Sequence, residues 1–139
     1  MNKVIFTRGI QGSGKSTFAK KWVNEDPQHR IRINWDDMRN MFGPYWIPER
    51  ESLLSAASGS ILKHALDKGF DVVIDNMNLS ERSKSPFMQV IDESKVTIEY
   101  VDFKTPLEEC IERDSKRENP IGEKIIRSTY ERNKDFYNS

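Results

Sequence analysis

The chain has 139 residues, enough for one domain around one core and hardly enough for two. Its 22 basic and 22 acidic residues cancel, which excludes a global positive field for nucleic acid and leaves any polyanion to a local cluster. The single Cys110 excludes an internal disulfide; with no signal-peptide pattern and no apolar run near the roughly 20 residues of a membrane span, the reading is a soluble, intracellular, cytoplasmic chain with no membrane partner.

Lys3-Val4-Ile5-Phe6-Thr7 reads as a short buried strand. It runs into Gly9-Ile10-Gln11-Gly12-Ser13-Gly14-Lys15-Ser16, which fits the spacing G-x-x-x-x-G-K-[ST] of a loop that wraps nucleoside triphosphate. Thr17 to Val23 reads as the following helix, with Phe18, Ala19, Trp22 and Val23 on its inner side. Glycines there free the backbone to aim peptide N–H groups at phosphate, and the helix adds its positive end. Gly12, Ser13, Gly14, Lys15, Ser16 and Thr17 are therefore the candidate ATP-binding residues. Lys15 is expected to reach the β- and γ-phosphates, and the Ser16 hydroxyl to ligate Mg²⁺. An ordinary glycine-rich turn is the alternative, and the strand before with the helix after speaks against it.

Asn24-Glu25-Asp26-Pro27 ends the helix, and Arg30-Ile31-Arg32-Ile33-Asn34 alternates as a second strand. Arg30 and Arg32 leading to Trp35 suit either a track for single-stranded nucleic acid or an edge strand with protective charges. Trp35 to Arg39 forms a short helical entry, broken by Met41-Phe42-Gly43-Pro44-Tyr45-Trp46, whose two last aromatics are expected to pack. Asp36 is a candidate general base, because a carboxylate can orient an acceptor hydroxyl and take its proton. Arg39, three residues on, is placed to grip an anionic acceptor. The alternative makes Asp36 or Asp37 a helix cap and Arg39 a solvated charge, with Asp37 the better cap.

Pro48 starts a long helix to about Lys68, with Leu54, Ala57, Ile61 and Ala65 on one face and Gly69 as its C-cap. Asp71-Val72-Val73-Ile74-Asp75 is a third strand, apolar enough for the middle of a sheet. Asp75 at its end is a candidate magnesium-shell acid and Asn78 a candidate on the acceptor side, or else both serve the loop. Ser80 caps a helix with Phe87, Val90 and Ile91 inside, and Val96 to Phe103 is a fourth strand. Thr105-Pro106-Leu107-Glu108 reads as an N-cap, a first-turn proline and a capping-box acid. That helix runs through the core residue Cys110 to Arg117. Glu118-Asn119-Pro120 breaks it before a last helix with Ile121, Ile125 and Ile126. Arg113, Lys116 and Arg117 form a basic cluster beside the break, either complementing the helix dipole or closing over donor phosphates, with Arg117 preferred as the lid arginine. His29 and His64 have no partner at metal-ligand spacing.

The order of these motifs, from the phosphate loop through Asn34-x-Asp36-Asp37-x-Arg39 and Ile74-Asp75-x-x-Asn78-Leu79 to Arg113-x-Ser115-Lys116-Arg117, closely resembles the 5′-hydroxyl polynucleotide kinase module of bacteriophage end-healing enzymes. The resemblance covers Lys3 to about Lys134. Strands alternating with helices already mean crossovers and a parallel sheet with helices on both faces. The resemblance implies an α/β P-loop kinase domain over residues 1–139, with four strands in that central sheet and a small lid around residues 113–121. It implies ATP and Mg²⁺ on Lys15 and Ser16, Asp36 as base on the 5′-hydroxyl, Arg39 on the 3′-side phosphate, and Arg117 over the donor, where Arg113 could join it and Asp75 the magnesium shell on the reading of the residues alone. Its substrate would be single-stranded 5′ ends of DNA or RNA, in a host cytoplasm if the chain is phage-encoded. Gln11 stands where relatives often have Pro, Arg8 where an apolar residue is usual, and Trp35 beside Asp36 could alter how an acceptor enters. The Asp-x-Asp-x-Thr motif of the phage enzymes' 3′-phosphatase domain is absent from the chain, so a free-standing kinase and a piece of a longer protein are both compatible with it. Two alternatives stay beside this reading: a kinase for a small acceptor such as a nucleoside, nucleotide or sugar, and a nucleotide switch. Against the switch, Asn133-Lys134-Asp135 falls one residue short of the guanine-reading Asn-Lys-x-Asp.

Overall fold

The computed structural model describes residues 2–139. Its strands are β1 (Asn2–Arg8), β2 (Arg30–Ile33), β3 (Asp71–Ile74) and β4 (Val96–Asp102). They form one sheet in the order β2-β3-β1-β4, parallel throughout, with Val4 opposite Val72 and Ile98, and Ile33 opposite Ile74. Parallel neighbours require crossovers, supplied by α1 (Lys15–Glu25), then α2 (Trp35–Phe42) with α3 (Arg50–Asp67), and α4 (Glu81–Met88). After β4 come α5 (Leu107–Ser115), α6 (Glu123–Arg132) and a short α7 (Lys134–Tyr137) that was not read from the sequence. Among the described residues no helix is long and apolar enough to cross a membrane.

Both faces of the sheet are covered. Alternate residues of β1 and β3 point opposite ways, so Val4, Phe6, Val72 and Ile74 meet Leu62, Ala65 and Phe87 of α3 and α4, while Ile5 and Val73 meet Ala19 of α1. A third cluster, Ile10, Cys110 and Ile126, packs α5 and α6 against the loop after β1. Burial pushes the Cys110 thiol up, in keeping with a core residue.

Several local expectations are corrected. Helix α1 begins at Lys15, not Thr17, because Gly14 at φ 106° turns the chain and its carbonyl accepts from Phe18 N at 3.2 Å. The cap of α2 is Asn34, whose Oδ1 accepts from Asp37 N at 2.9 Å, so Asp37 is free to pair elsewhere. The buried face of α3 runs Leu54, Ser58, Leu62, Ala65, and Ile61 is exposed. Ser58 sits inward because it accepts the Trp35 indole N–H at 3.0 Å, and Gly59 lets the Pro86 carbonyl approach to 3.0 Å of a would-be Cβ. Thr105 does not cap α5: its hydroxyl donates to the Ser13 carbonyl at 2.7 Å, and Glu108 pairs with Arg127 at 2.8 Å. Ile121 precedes α6 and Ile125 faces solvent, leaving Ile126 as the inward isoleucine of that helix.

Candidate active site

Parallel α/β sheets collect ligands beyond the carboxyl ends of their strands. Here those ends open into a cleft of about 1260 Å³, lined by Gly12 to Thr17, Asp36, Arg39, Asp75, Arg113 and Arg117. The phosphate-loop, acceptor-side and magnesium candidates read from the sequence thus border one space with Arg113 and Arg117.

The phosphate loop is held from three sides. Gly12, at φ 78°, lies so close to α5 that an added Cβ would stand 2.5 Å from the Cys110 carbonyl oxygen, so only glycine fits. Thr105 ties the Ser13 carbonyl to the end of β4, and the Gln11 amide donates to Thr129 of α6 at 3.2 Å. Gln11, where Pro is usual, therefore acts as a strap. Arg8 forms a two-bond pair with Asp102 at 2.7 and 3.0 Å across β1 and β4. Lys15 folds over the loop, its ammonium donating to the Ile10 carbonyl at 2.7 Å, and burial pushes that ammonium down to about 8.

Behind the loop, Asp75 is 1% exposed. Its Oδ2 accepts from Ser16 Oγ at 2.9 Å and from Arg32 Nε at 2.7 Å, while Oδ1 is buried with no hydrogen-bond partner. Arg32 also reaches Asp37 Oδ2 at 2.6 Å. The Ser16 hydroxyl and the half-satisfied Asp75 make an oxygen donor set that fits a hard divalent cation keeping most of its ligands as water and phosphate. Among the described residues no group of three or more His, Cys, Asp or Glu offers an all-protein cage.

Asp36 and Arg39 line the same cleft from the first turns of α2. Asp36 is 72% exposed and accepts from Arg39 Nη1 at 2.9 Å. Arg39 is not a free surface charge: Glu51 of α3 accepts from its Nε and Nη2 at 3.0 and 2.7 Å. That contact raises the Arg39 guanidinium and lowers the Glu51 carboxyl. The start of α2 is fixed in turn by Asn34, which donates to the Asp75 carbonyl at 2.6 Å, and by Asn76, which accepts from Trp35 N at 3.0 Å.

At the end of α5, Arg113 reaches the Gly12 carbonyl at 3.5 Å and Glu109 at 2.7 Å, and Arg117 lies 3.7 Å from Asp114. Lys116 turns to Glu112 and does not line the cleft. Asp114, not singled out from the sequence, is 2% exposed and accepts from the backbone of Ile121 and Gly122, both at 2.9 Å. It therefore cinches the turn that carries Arg117.

Trp35 borders the cleft beside Asp36 while its ring is held from behind, stacked on Phe87 with centroids 5.7 Å apart and donating to Ser58. Other expectations fail here. Arg30 donates to the Trp22 carbonyl at 2.8 Å and covers its ring, so β2 is a protected edge, not a nucleic-acid track. Asn78 serves the loop, its amide donating to the Thr7 and Ile74 carbonyls at 2.7 and 2.9 Å while its backbone holds φ 51°. Tyr45 and Trp46 do not pack; they are 76% and 67% exposed. Arg32 and Thr105 were missed as site residues. The signal for Arg32 was its place two residues before Asn34, which aims it at the strand ends.

The AAA domain family model matches residues 4–137, and the chain belongs to this family. The chain is 26% identical over 132 residues to the L-seryl-tRNA(Sec) kinase of Methanococcus maripaludis, covering 93% of this chain and 51% of that one. It therefore spans about half the length of that curated relative. A chain from the Pnkp1/Rnl/Hen1 RNA repair complex superposes with a TM-score of 0.82 at 26% identity, over 99% of this chain and 45% of that one. The Mycobacterium tuberculosis APS kinase CysC, solved with AMPPNP and APS, shares the fold at a TM-score of 0.61 and 21% identity, over 83% of this chain and 69% of that one. The fold is that of the P-loop kinases.

Proposed function

We propose that this member of the AAA domain family is a kinase that transfers the γ-phosphate of ATP to the 5′-hydroxyl end of DNA or RNA. One observation carries the reading: Asp36 and its paired Arg39 line the same cleft as the phosphate loop, with Asp36 exposed and open to an incoming hydroxyl. The likeness to the RNA repair complex chain, over nearly all of this chain, supports the choice of a polynucleotide acceptor.

In this reading Lys15 exchanges the Ile10 carbonyl for donor phosphate oxygens, and the loop's backbone N–H groups orient the triphosphate. Ser16 and Asp75 would hold Mg²⁺, and the ion would supply neutralisation of the triphosphate's negative charge. Arg39 grips the phosphate on the 3′ side of the acceptor nucleotide, using the planar fork that Glu51 already orients. Asp36 orients the 5′-oxygen in line with the γ-phosphorus and takes the hydroxyl proton as the new P–O bond forms and the bond to the β-phosphate oxygen breaks, leaving ADP. Arg113 and Arg117 stabilise the charge spread over the moving phosphoryl group.

Labelled γ-phosphate offered with a 5′-hydroxyl oligonucleotide tests the reading directly. Absence of transfer by folded, ATP-binding protein would sink it. A kinase for a smaller or tRNA-borne hydroxyl is the second reading, favoured by the L-seryl-tRNA(Sec) kinase relative. Mononucleotides, sugars and aminoacyl-tRNA that outcompete oligonucleotides for the label would establish it instead.

A further inference from the structure

The connection between α2 and α3, residues 43–49, carries an exposed aromatic pair, with Trp46 next to Arg39 of the cleft. Tyr45 and Trp46 are bracketed by Pro44 and Pro48, whose fixed φ angles stiffen the segment and hold two large rings in solvent. Met41 and Leu53 on the flanking helices are exposed as well, so large apolar side chains are concentrated at the solvent surface of this stretch of chain. Such a concentration marks a contact with something.

Its charges indicate what. Arg39 lies in the cleft beside Asp36, yet its guanidinium is also 5.9 Å from the Trp46 ring centroid, so the exposed stretch adjoins the cleft. Arg50, next along, donates to the Tyr45 carbonyl at 3.4 Å and has no ion pair among the described residues. Exposed aromatic faces beside a cation without a countercharge suit a ligand with flat bases on a phosphate chain. We propose that Tyr45 and Trp46 form a stacking platform for the bases of a single-stranded nucleic acid acceptor, downstream of the nucleotide whose 5′-hydroxyl meets Asp36, with Arg50 on its backbone. The identity of the occupant rests on the kinase reading above. The platform makes the chain prefer oligomers with unpaired bases over mononucleotides, and it is indifferent to which bases they are, because every base has a stacking face.

The test compares the parent chain, Tyr45→Ala with Trp46→Ala, and Tyr45→Phe with Trp46→Phe. Acceptors are a nucleoside 3′-monophosphate, an oligonucleotide of about six residues, and the same oligomer with abasic second and third positions, a length within the range one such site spans. The alanine pair should raise KM for the oligomer about tenfold or more per ring, within the range of base–aromatic stacking. It should leave the mononucleotide's kcat and KM unchanged. Abasic sites should reproduce the loss in the parent and add nothing in the variant, while the phenylalanine pair should restore most of it. Fluorescence anisotropy of a labelled oligomer without ATP reads the platform independently of transfer. Oligomer binding lost in the alanine pair, with no transfer by the parent, would keep the platform and sink the kinase reading. Equal oligomer KM and binding in parent and alanine pair would overturn the platform and leave the kinase reading standing. No binding and no transfer would overturn both. A parent dimer dissociated by the alanine pair, with oligomer binding unchanged, would assign the rings to a second copy of the chain and refute the proposal.

Discussion

Replacing Asp36 by Asn separates the chemistry of the acceptor side from its architecture. The amide keeps the carboxylate's size and its Oδ1, which still accepts from Arg39 at 2.9 Å. Arg39 itself stays anchored by two hydrogen bonds to Glu51 at 3.0 and 2.7 Å, so the acceptor phosphate grip survives. What disappears is the ability to take a proton and one arm of an exposed ion pair. Such a pair contributes about 0.2–1 kcal/mol to stability, so the denaturant midpoint should hardly move. The proton-accepting role contributes about 10²- to 10⁴-fold in rate, or roughly 2.7–5.4 kcal/mol of barrier at 1.36 kcal/mol per decade. Asp36 is hydrogen-bonded to Arg39 and acts on Lys15 of the loop only as a minor electrostatic neighbour, so calorimetric ATP affinity should stay within about twofold, a shift under 0.5 kcal/mol. The assay is initial-rate transfer of labelled γ-phosphate to a 5′-hydroxyl oligonucleotide, alongside ATP titration and urea unfolding. Transfer within about threefold of the parent would refute the base role, a loss too small for proton-transfer catalysis. A rate loss matched by weaker ATP binding or by unfolding would refute the geometric reasoning instead.

Three further outcomes follow from the loop and its lid. Burial lowers Lys15 to about 8, and donor phosphates favour its charged form; nucleotide binding should therefore take up a proton above that pH and weaken as pH rises. Calorimetry in buffers of different ionisation enthalpy reads the uptake, and none at about pH 9, a unit above the site's value, would refute it. Gly12→Ala drives a Cβ to 2.5 Å from the Cys110 carbonyl oxygen at φ 78° and should cost about 1–3 kcal/mol together with nucleotide affinity; unchanged unfolding and binding would contradict that. Asp114→Ala strands the Ile121 and Gly122 N–H groups and should cost about 2–4 kcal/mol, with amide exchange accelerated first at those two positions. Uniform acceleration elsewhere and protection there would oppose the cinch.

How much of this was legible depends on the range of the signal. The phosphate loop was readable because glycine spacing encodes backbone geometry, and the four strands because apolar runs lie between turn residues. The parallel sheet followed from helices separating every pair of strands. What escaped depends on partners distant in sequence. Thr105 matches a local cap, but the Ser13 carbonyl, 92 positions away, outcompetes the helix terminus for its hydroxyl. The face of α3 was assigned by apolarity alone, whereas the Trp35 indole draws Ser58 inward and leaves Ile61 outside. Alternation correctly set Arg30 and Arg32 on one side of β2, yet only the fold tells that Trp22 receives one and Asp75 the other. Tyr45 and Trp46 were misread because hydrophobicity predicts burial, and two flanking prolines hold them out of it.

The cations around the cleft fall into two kinds, and the difference lies in what they hold. Arg32 grips two carboxylates, one of them the buried Asp75. Breaking that contact would strand a charge away from water, so Arg32 stays in place and fixes the orientation of Asp75 toward Ser16. Lys15 donates to a neutral carbonyl of the loop, whereas Arg113 pairs with the exposed Glu109 at 2.7 Å and Arg117 lies 3.7 Å from Asp114. Exchanging a carbonyl for a phosphate oxygen strengthens a hydrogen bond by making it charge-assisted on both sides. Lys15, tethered to a neutral group, is thus free to move onto a triphosphate, while Arg32, tethered to a buried acid, frames the space it enters. Arg39 belongs with the second kind through Glu51, which leaves Asp36, with its carboxylate toward solvent, as the acid on the acceptor side least committed to the protein itself.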